Sequence, residues 1–111
     1  LRTALESRIS SVVGRYAGNF PHWDVNNEML HGSFFQDRLG PDTRKWIFDK
    51  VKEADPEVMS FVNDYNVVSR GETDEYYTQI KELLDAGAQI DGIGVQGHFG
   101  ATVDPYKVQS R

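Results

Sequence analysis

At 111 residues, 39% hydrophobic and 26% charged, the chain has the size and composition of one ordered domain, not of a disordered segment. Its net charge is −5 and its 12 basic residues are scattered, which argues against a nucleic-acid partner, because neutralising phosphates needs a basic surface. The absence of Cys excludes a disulfide framework and a thiolate metal site, and no apolar run approaches the roughly 18 residues of a membrane span.

Residues 1–17 read as a helix, with Leu5, Ile9, Val12, Val13 and Tyr16 on one stripe of period 3.6. Gly18-Asn19 and Pro21 stop it. His22-Trp23-Asp24-Val25-Asn26-Asn27-Glu28 follows as a first strand, apolar at Trp23 and Val25 and polar at its C-terminal end. Burying an amide or carboxylate without partners costs several kcal/mol, so packing alone would not select Asn27 and Glu28. Such a tip suits a ligand site on a parallel sheet, where ligands bind beyond the carboxyl ends of the strands.

From Met29 to Gly40 periodicity is lost, and a loop of about twelve residues is expected, longer than the usual βα connection. Phe34 and Phe35 within it either cap the sheet or belong to a functional loop. A second helix is expected from Gly40-Pro41-Asp42 to Asp55-Pro56, with Ile47, Val51 and Ala54 inward and Trp46 and Phe48 flanking. Val58–Val62 reads as a buried strand ending in Asn63-Asp64-Tyr65-Asn66. A third helix is expected from Thr73, as N-cap, to Ala86, with the stripe Tyr76, Ile80, Leu83 and Leu84 and with Gly87 at its end. The third strand is read as Ile90 to Phe99, where Gly92, Gly94 and Gly97 point to close backbone approach. Leu1 is not an initiating Met and a further element begins near Arg111, so both ends are expected to be cut from a longer chain.

Helices alternating with strands imply an α/β fold with a parallel sheet and right-handed crossovers. The strand tips lie roughly 38 and 32 residues apart, as successive βα units require. All tips then fall at one end of the sheet, so Glu28, Asn27, Tyr65, Asn66, Gln96 and His98 are expected to converge on one face. A carboxyl beside amides, an aromatic ring and an imidazole suits a polyhydroxylated ligand. Glycoside hydrolysis with retention needs two carboxyls about 5 to 5.5 Å apart. Asp24 is a poor partner for Glu28, since four strand residues span about 13 Å. Asp64 stays open as that partner on spacing alone. A competing arrangement is a metal site drawn from His22, His31, His98 and Glu28, although no close His spacing supports it.

Three strings in order, Trp23-Asp24-Val25-Asn26-Asn27-Glu28, Asn63-Asp64-Tyr65-Asn66 and Ile90-Asp91-Gly92-Ile93-Gly94-Val95-Gln96-Gly97-His98-Phe99, closely resemble glycoside hydrolase family 10, the endo-1,4-β-xylanases, and most of all its plant members. Asn26 stands where the bacterial and fungal pattern usually has Val. The resemblance implies that residues 1–111 are part of one catalytic domain, truncated at both ends: a (β/α)8 TIM barrel fragment from about helix 3 through strand 6. It implies retaining cleavage of xylan or xylo-oligosaccharides, with no metal and no cofactor. Glu28 matches the general acid/base, and Asn27 the amide bonding the 2-hydroxyl of the cleaved sugar. Gln96 and His98 match residues that contact that sugar and orient the nucleophile. Tyr65 and Asn66 match the tip that binds the aglycone side and holds the acid/base. The family's nucleophile, a Glu ending the seventh strand, is not among these residues. The resemblance also implies a secreted or cell-wall location. No nucleic acid or membrane is expected as a partner. The rest of the barrel or a second copy is, because half a barrel leaves two open edges and an uncovered interior that is expected to be apolar.

Overall fold

A computed structural model describes every residue from Leu1 to Arg111. Helix α1 spans Arg2–Arg15 and buries Ile9 and Val13, as its stripe requires. Gly18, at φ 74°, then turns the chain, and the buried Asp55 carboxylate accepts its N–H at 3.0 Å. Strand β1 is only His22–Asp24, shorter than the expected seven residues. The reason is local: Asn26 and Glu28 take left-handed φ values of 49° and 61°, which no extended strand contains. The backbone of this turn still follows the neighbouring strand, with the N–H groups of Val25 and Glu28 donating to Phe61 O and Asn63 O.

The expected loop contains a short helix, α2, over Phe34–Leu39. Phe35 packs against the core, whereas Phe34 stays exposed under the Arg38 guanidinium, 3.8 Å from its ring centre. Helix α3 runs Thr43–Ala54 with Asp42 as N-cap, so Pro41 precedes the helix instead of opening it. Ile47, Val51 and also Phe48 are buried, and α1 lies along this helix. Strand β2, Met59–Asp64, buries alternate residues Ser60, Val62 and Asp64. A single helical turn not foreseen from the sequence, α4, occupies Val67–Arg70. Helix α5 is Thr73–Asp85; its N-cap is Glu72, and the Thr73 hydroxyl donates instead to Val67 O. Tyr76, Gln79, Ile80 and Leu83 form the buried face, while Leu84 is half exposed.

Strand β3 is Gly92–Val95, flanked by the expected residues Ile90 and Phe99 but much shorter. Its partner β2 ends at Asp64, and after Gln96 N–H donates to Asp64 O no ladder remains for it to follow. Helix α6, Pro105–Ser110, opens with Pro in its first turn and the Asp104 carboxylate accepting from the N–H groups of Tyr106 and Lys107.

The three strands form a parallel sheet in the order β1-β2-β3, pairing His22 with Met59 and Phe61 with Gly92. The core fills the space between one face of this sheet and the helices, around Val25, Phe48, Val58, Val62 and Ala88. The opposite face carries His22, Asp24, Met59, Phe61, Asn63, Gly92 and Gly94. It is mainly polar or glycine, which corrects the expectation of an apolar interior. The exposed apolar side chains of β3, Ile93 and Val95, lie on the helix-side face instead. No helix is long and apolar enough to cross a membrane.

Candidate active site

The parallel order brings all three strand tips to one end of the sheet. The first assembly there joins β1 to β3. The Gln96 side-chain amide donates to Glu28 Oε1 at 2.8 Å, across 68 residues of sequence. Glu28 is half-buried and held with φ 61°, a conformation costing of order 1 kcal/mol or more in a residue that is not Gly, Asn or Asp. Asn26 is one of the few side chains that tolerate its own φ of 49°, so the amide found there suits the turn better than a β-branched residue would. Beside this pair, Asn63 Nδ2 donates to Asn27 Oδ1 at 3.0 Å. The exposed Asn27 therefore keeps its own NH2 free to donate to a ligand hydroxyl.

The second assembly joins the β1 turn to β2 and to the start of α5. Asp64 is fully buried, and its carboxylate accepts from Leu30 N–H at 2.7 Å, Tyr65 N–H at 2.8 Å and His31 Nδ1 at 2.6 Å. Asp64 is thus occupied on the helix side of the sheet, which removes it as the second carboxyl that spacing had left open. His31 Nε2 meets Glu72 at 2.8 Å, and its ring stacks on Tyr65 with centroids 3.7 Å apart and planes 16° off parallel. Burial opposes charging this imidazole, but the hydrogen bonds and charges of Asp64 and Glu72 outweigh it and raise its pKa above 6.5.

Asn66, at φ 63°, accepts the N–H groups of Arg70, Gly71 and Glu72 on its backbone oxygen, and its side-chain amide reaches Glu72 at 3.4 Å. His98 is exposed and makes no hydrogen bond or ion pair with Glu28. It lines a separate cleft of about 690 Å³ with Asn66, Arg70, Lys107 and Arg111. Of the six residues expected to converge, Glu28 and Gln96 meet directly and Asn27 joins them through Asn63. Tyr65 and Asn66 belong to the His31–Asp64–Glu72 assembly, and His98 stands apart. The groups weighed as metal ligands are dispersed: His22 lies against the Phe61 ring, His31 on Asp64, and no set of three His, Asp or Glu side chains is placed to hold an ion. Asn63 and Glu72 were missed from sequence. Strand alternation from Phe61 could have placed Asn63 on the open face, but nothing local announces Glu72.

The family model described as glycosyl hydrolase family 10 matches residues 1–110. The anti-sigma-I factor RsgI6 of Acetivibrio thermocellus is 44% identical over 94% of this chain and 14% of its own length. Endo-1,4-beta-xylanase 1 of Arabidopsis thaliana is 43% identical over 95% of this chain and 12% of its own. The chain thus spans a small part of the curated relatives it matches. Among solved structures, the intracellular xylanase TsXylA of Thermoanaerobacterium saccharolyticum, a mutant in complex with xylotriose, aligns with a TM-score of 0.87 at 28% identity, over 97% of this chain and 37% of that one.

Proposed function

Because the chain belongs to glycosyl hydrolase family 10 and folds as part of its TIM barrel, we propose that it supplies the acid/base side of a retaining active site that cleaves internal β-1,4 bonds of xylan. The observation that carries this reading is the Gln96–Glu28 hydrogen bond, which fixes a half-buried carboxyl at the ligand-facing end of the sheet. Glu28 protonates the departing sugar oxygen and, as the conjugate base, then activates the water that releases the glycosyl intermediate. Asn27 donates to a hydroxyl of the sugar being cleaved, and Gln96 keeps a carbonyl oxygen for a second one. Tyr65 and Asn66 bind the aglycone side, with Tyr65 as the stacking platform. His98 contributes from the rim of the neighbouring cleft. With Asp64 occupied, the nucleophilic carboxylate comes from another strand of the complete barrel. A secreted or cell-wall location belongs to the same proposal.

A second reading has one observation in its favour, the 44% identity to a protein named for anti-sigma activity. In this reading the barrel segment is non-catalytic and either binds carbohydrate weakly or only self-associates. The two separate in the full-length protein carrying Glu28→Ala. As proton donor, Glu28 is worth about 10²–10⁴-fold on xylan, whose leaving group is a poor one. An aryl xyloside with an acidic phenol needs that proton little in the first step, so a burst of phenol should precede a slow steady rate. Azide should accelerate that rate and yield the β-azide, because an anionic nucleophile needs no base. Equal losses on both substrates, without burst or azide rescue, would exclude Glu28 as the donor. Carbohydrate binding without any turnover by the unmodified protein would favour the second reading.

A further inference from the structure

His31 stands outside the roles assigned above. It sits three residues beyond Glu28, where the chain leaves the β1 turn, and it is held from three directions. Nδ1 meets Asp64 on β2 at 2.6 Å, Nε2 meets Glu72 ahead of α5 at 2.8 Å, and the ring face lies 3.7 Å from Tyr65. Arg44 of α3 ties down the backbone on both sides, donating to Met29 O at 2.6 Å and Gly32 O at 3.3 Å. Asp64 in turn accepts the N–H groups of Leu30 and Tyr65, so one buried carboxylate fixes the backbone on either side of the stacked pair.

We infer that His31 is a positioning residue for Tyr65: by bridging Asp64 and Glu72 in its doubly protonated form, it holds the tyrosine ring at the angle at which its other face receives the sugar on the aglycone side. The inference rests on the aglycone role proposed for Tyr65. The physical reason is the donor count. An imidazolium donates from both nitrogens and bridges two carboxylates, whereas a neutral ring has one N–H and must release one of them. Glu72, whose side chain is 34% exposed, is released before Asp64, which is fully buried and lacks water as a substitute partner. With one anchor gone the ring can tilt, and Tyr65 with it. A cationic ring is also the better stacking partner for a phenol face. The charged and titratable groups facing His31 are Asp64 and Tyr65 from the β2 tip and Glu72 ahead of α5, with Arg44 of α3 held on the flanking carbonyls.

The test uses the full-length protein and two substrates, xylohexaose, which spans the cleavage point, and an aryl xylobioside, which places no sugar on the aglycone side. His31→Phe keeps a stacking ring but removes both bridges. It should raise KM for xylohexaose about five- to tenfold while kcat, and kcat/KM on the aryl substrate, stay within about twofold. In the unmodified protein the ratio of the two KM values should rise as pH climbs from below 6.5 through the point where His31 loses its second proton, and His31→Gln should flatten that rise. Tyr65→Ala serves as the control for the underlying role. If it raises KM for xylohexaose and His31→Phe does not, positioning by His31 is wrong although the aglycone role stands. If Tyr65→Ala changes nothing, the aglycone role fails and the inference with it. Equal losses on both substrates for His31→Phe, or a pH-independent KM ratio in the unmodified protein, would show that His31 only holds the fold.

Discussion

At the scale of single residues, the tip of the sheet is governed by which polar groups find partners. Asp64 is the clearest case: fully buried, with three donors on its carboxylate. Asp64→Asn would turn an NH2 toward at least one of those donors. The expected loss in the full-length protein is about 3 kcal/mol, within the range for a broken buried charged network, read from denaturant unfolding. Gln96→Ala removes the donor that orients Glu28. Because small displacements of a reacting group lower rates sharply, kcat/KM on xylan should fall by about 10- to 100-fold with little change in stability. His31 gives a pH dependence of known sign. Its folded pKa lies above 6.5, so its stabilisation is fully present below that value and is lost as pH rises through the raised one. The difference in denaturation midpoint between the unmodified protein and His31→Gln should therefore be largest below pH 6.5 and shrink as pH rises through the raised His31 pKa.

At the scale of elements, the close pairing of β2 and β3 depends on glycine at two facing positions. A methyl on Gly92 would come within 2.2 Å of the Phe61 ring, and one on Gly94 within 2.6 Å of Asn63 Oδ1. The sequence pattern had already marked these glycines for close approach, but it named no neighbour. Gly92→Ala should destabilise the full-length protein by about 1–3 kcal/mol, as overpacking does. In the Phe61→Ala background the same substitution should cost much less, and a double-mutant cycle measures that coupling. Absence of coupling would mean that the ring is free to swing aside. The fully extended reading of β1 fails for the reason that makes its tip interesting: two left-handed residues project Glu28 out of the strand. Residues in such conformations persist only where surrounding bonds over-determine them, here Glu28 N–H to Asn63 O and Gln96 to Oε1.

At the scale of the whole molecule, three strands make a sheet with two open edges. The radius of gyration is 15.1 Å, against about 13 Å for a compact domain of this length, as expected of an arc of a barrel. Ile93 at 58% exposure and Val95 at 41% leave an apolar strip on the helix side of β3. Residues 1–111 expressed alone should therefore self-associate, which sedimentation across a concentration series would detect; a cooperative monomer at high concentration would contradict it. The same polypeptide should release no reducing sugar from xylan, because Asp64, the carboxyl that spacing had left open as the partner of Glu28, is occupied on the helix side. Sugar release abolished by Glu28→Gln would show that another carboxyl of this chain is the partner.

The sequence by itself determined the helix–strand alternation, the parallel order that follows from it, and the polar strings at the strand tips. These depend on periodicity and local propensity, which neighbouring residues carry without help from the rest of the chain. Helices α1, α3 and α5 were legible for that reason, since Ile9 and Val13, Ile47 and Val51, and Tyr76 and Ile80 repeat with the helical period. The family strings were legible too, because they are short and contiguous. Only the tertiary structure decided which tip residues meet. Gln96 reaches Glu28 across 68 residues, and His31 reaches Asp64 across 33. Whether a carboxyl such as Asp64 faces the ligand or the helices depends on strand register and on the parity of its neighbours. A one-residue shift in that parity moves a side chain to the other face of the sheet, and no local preference of Asp records it.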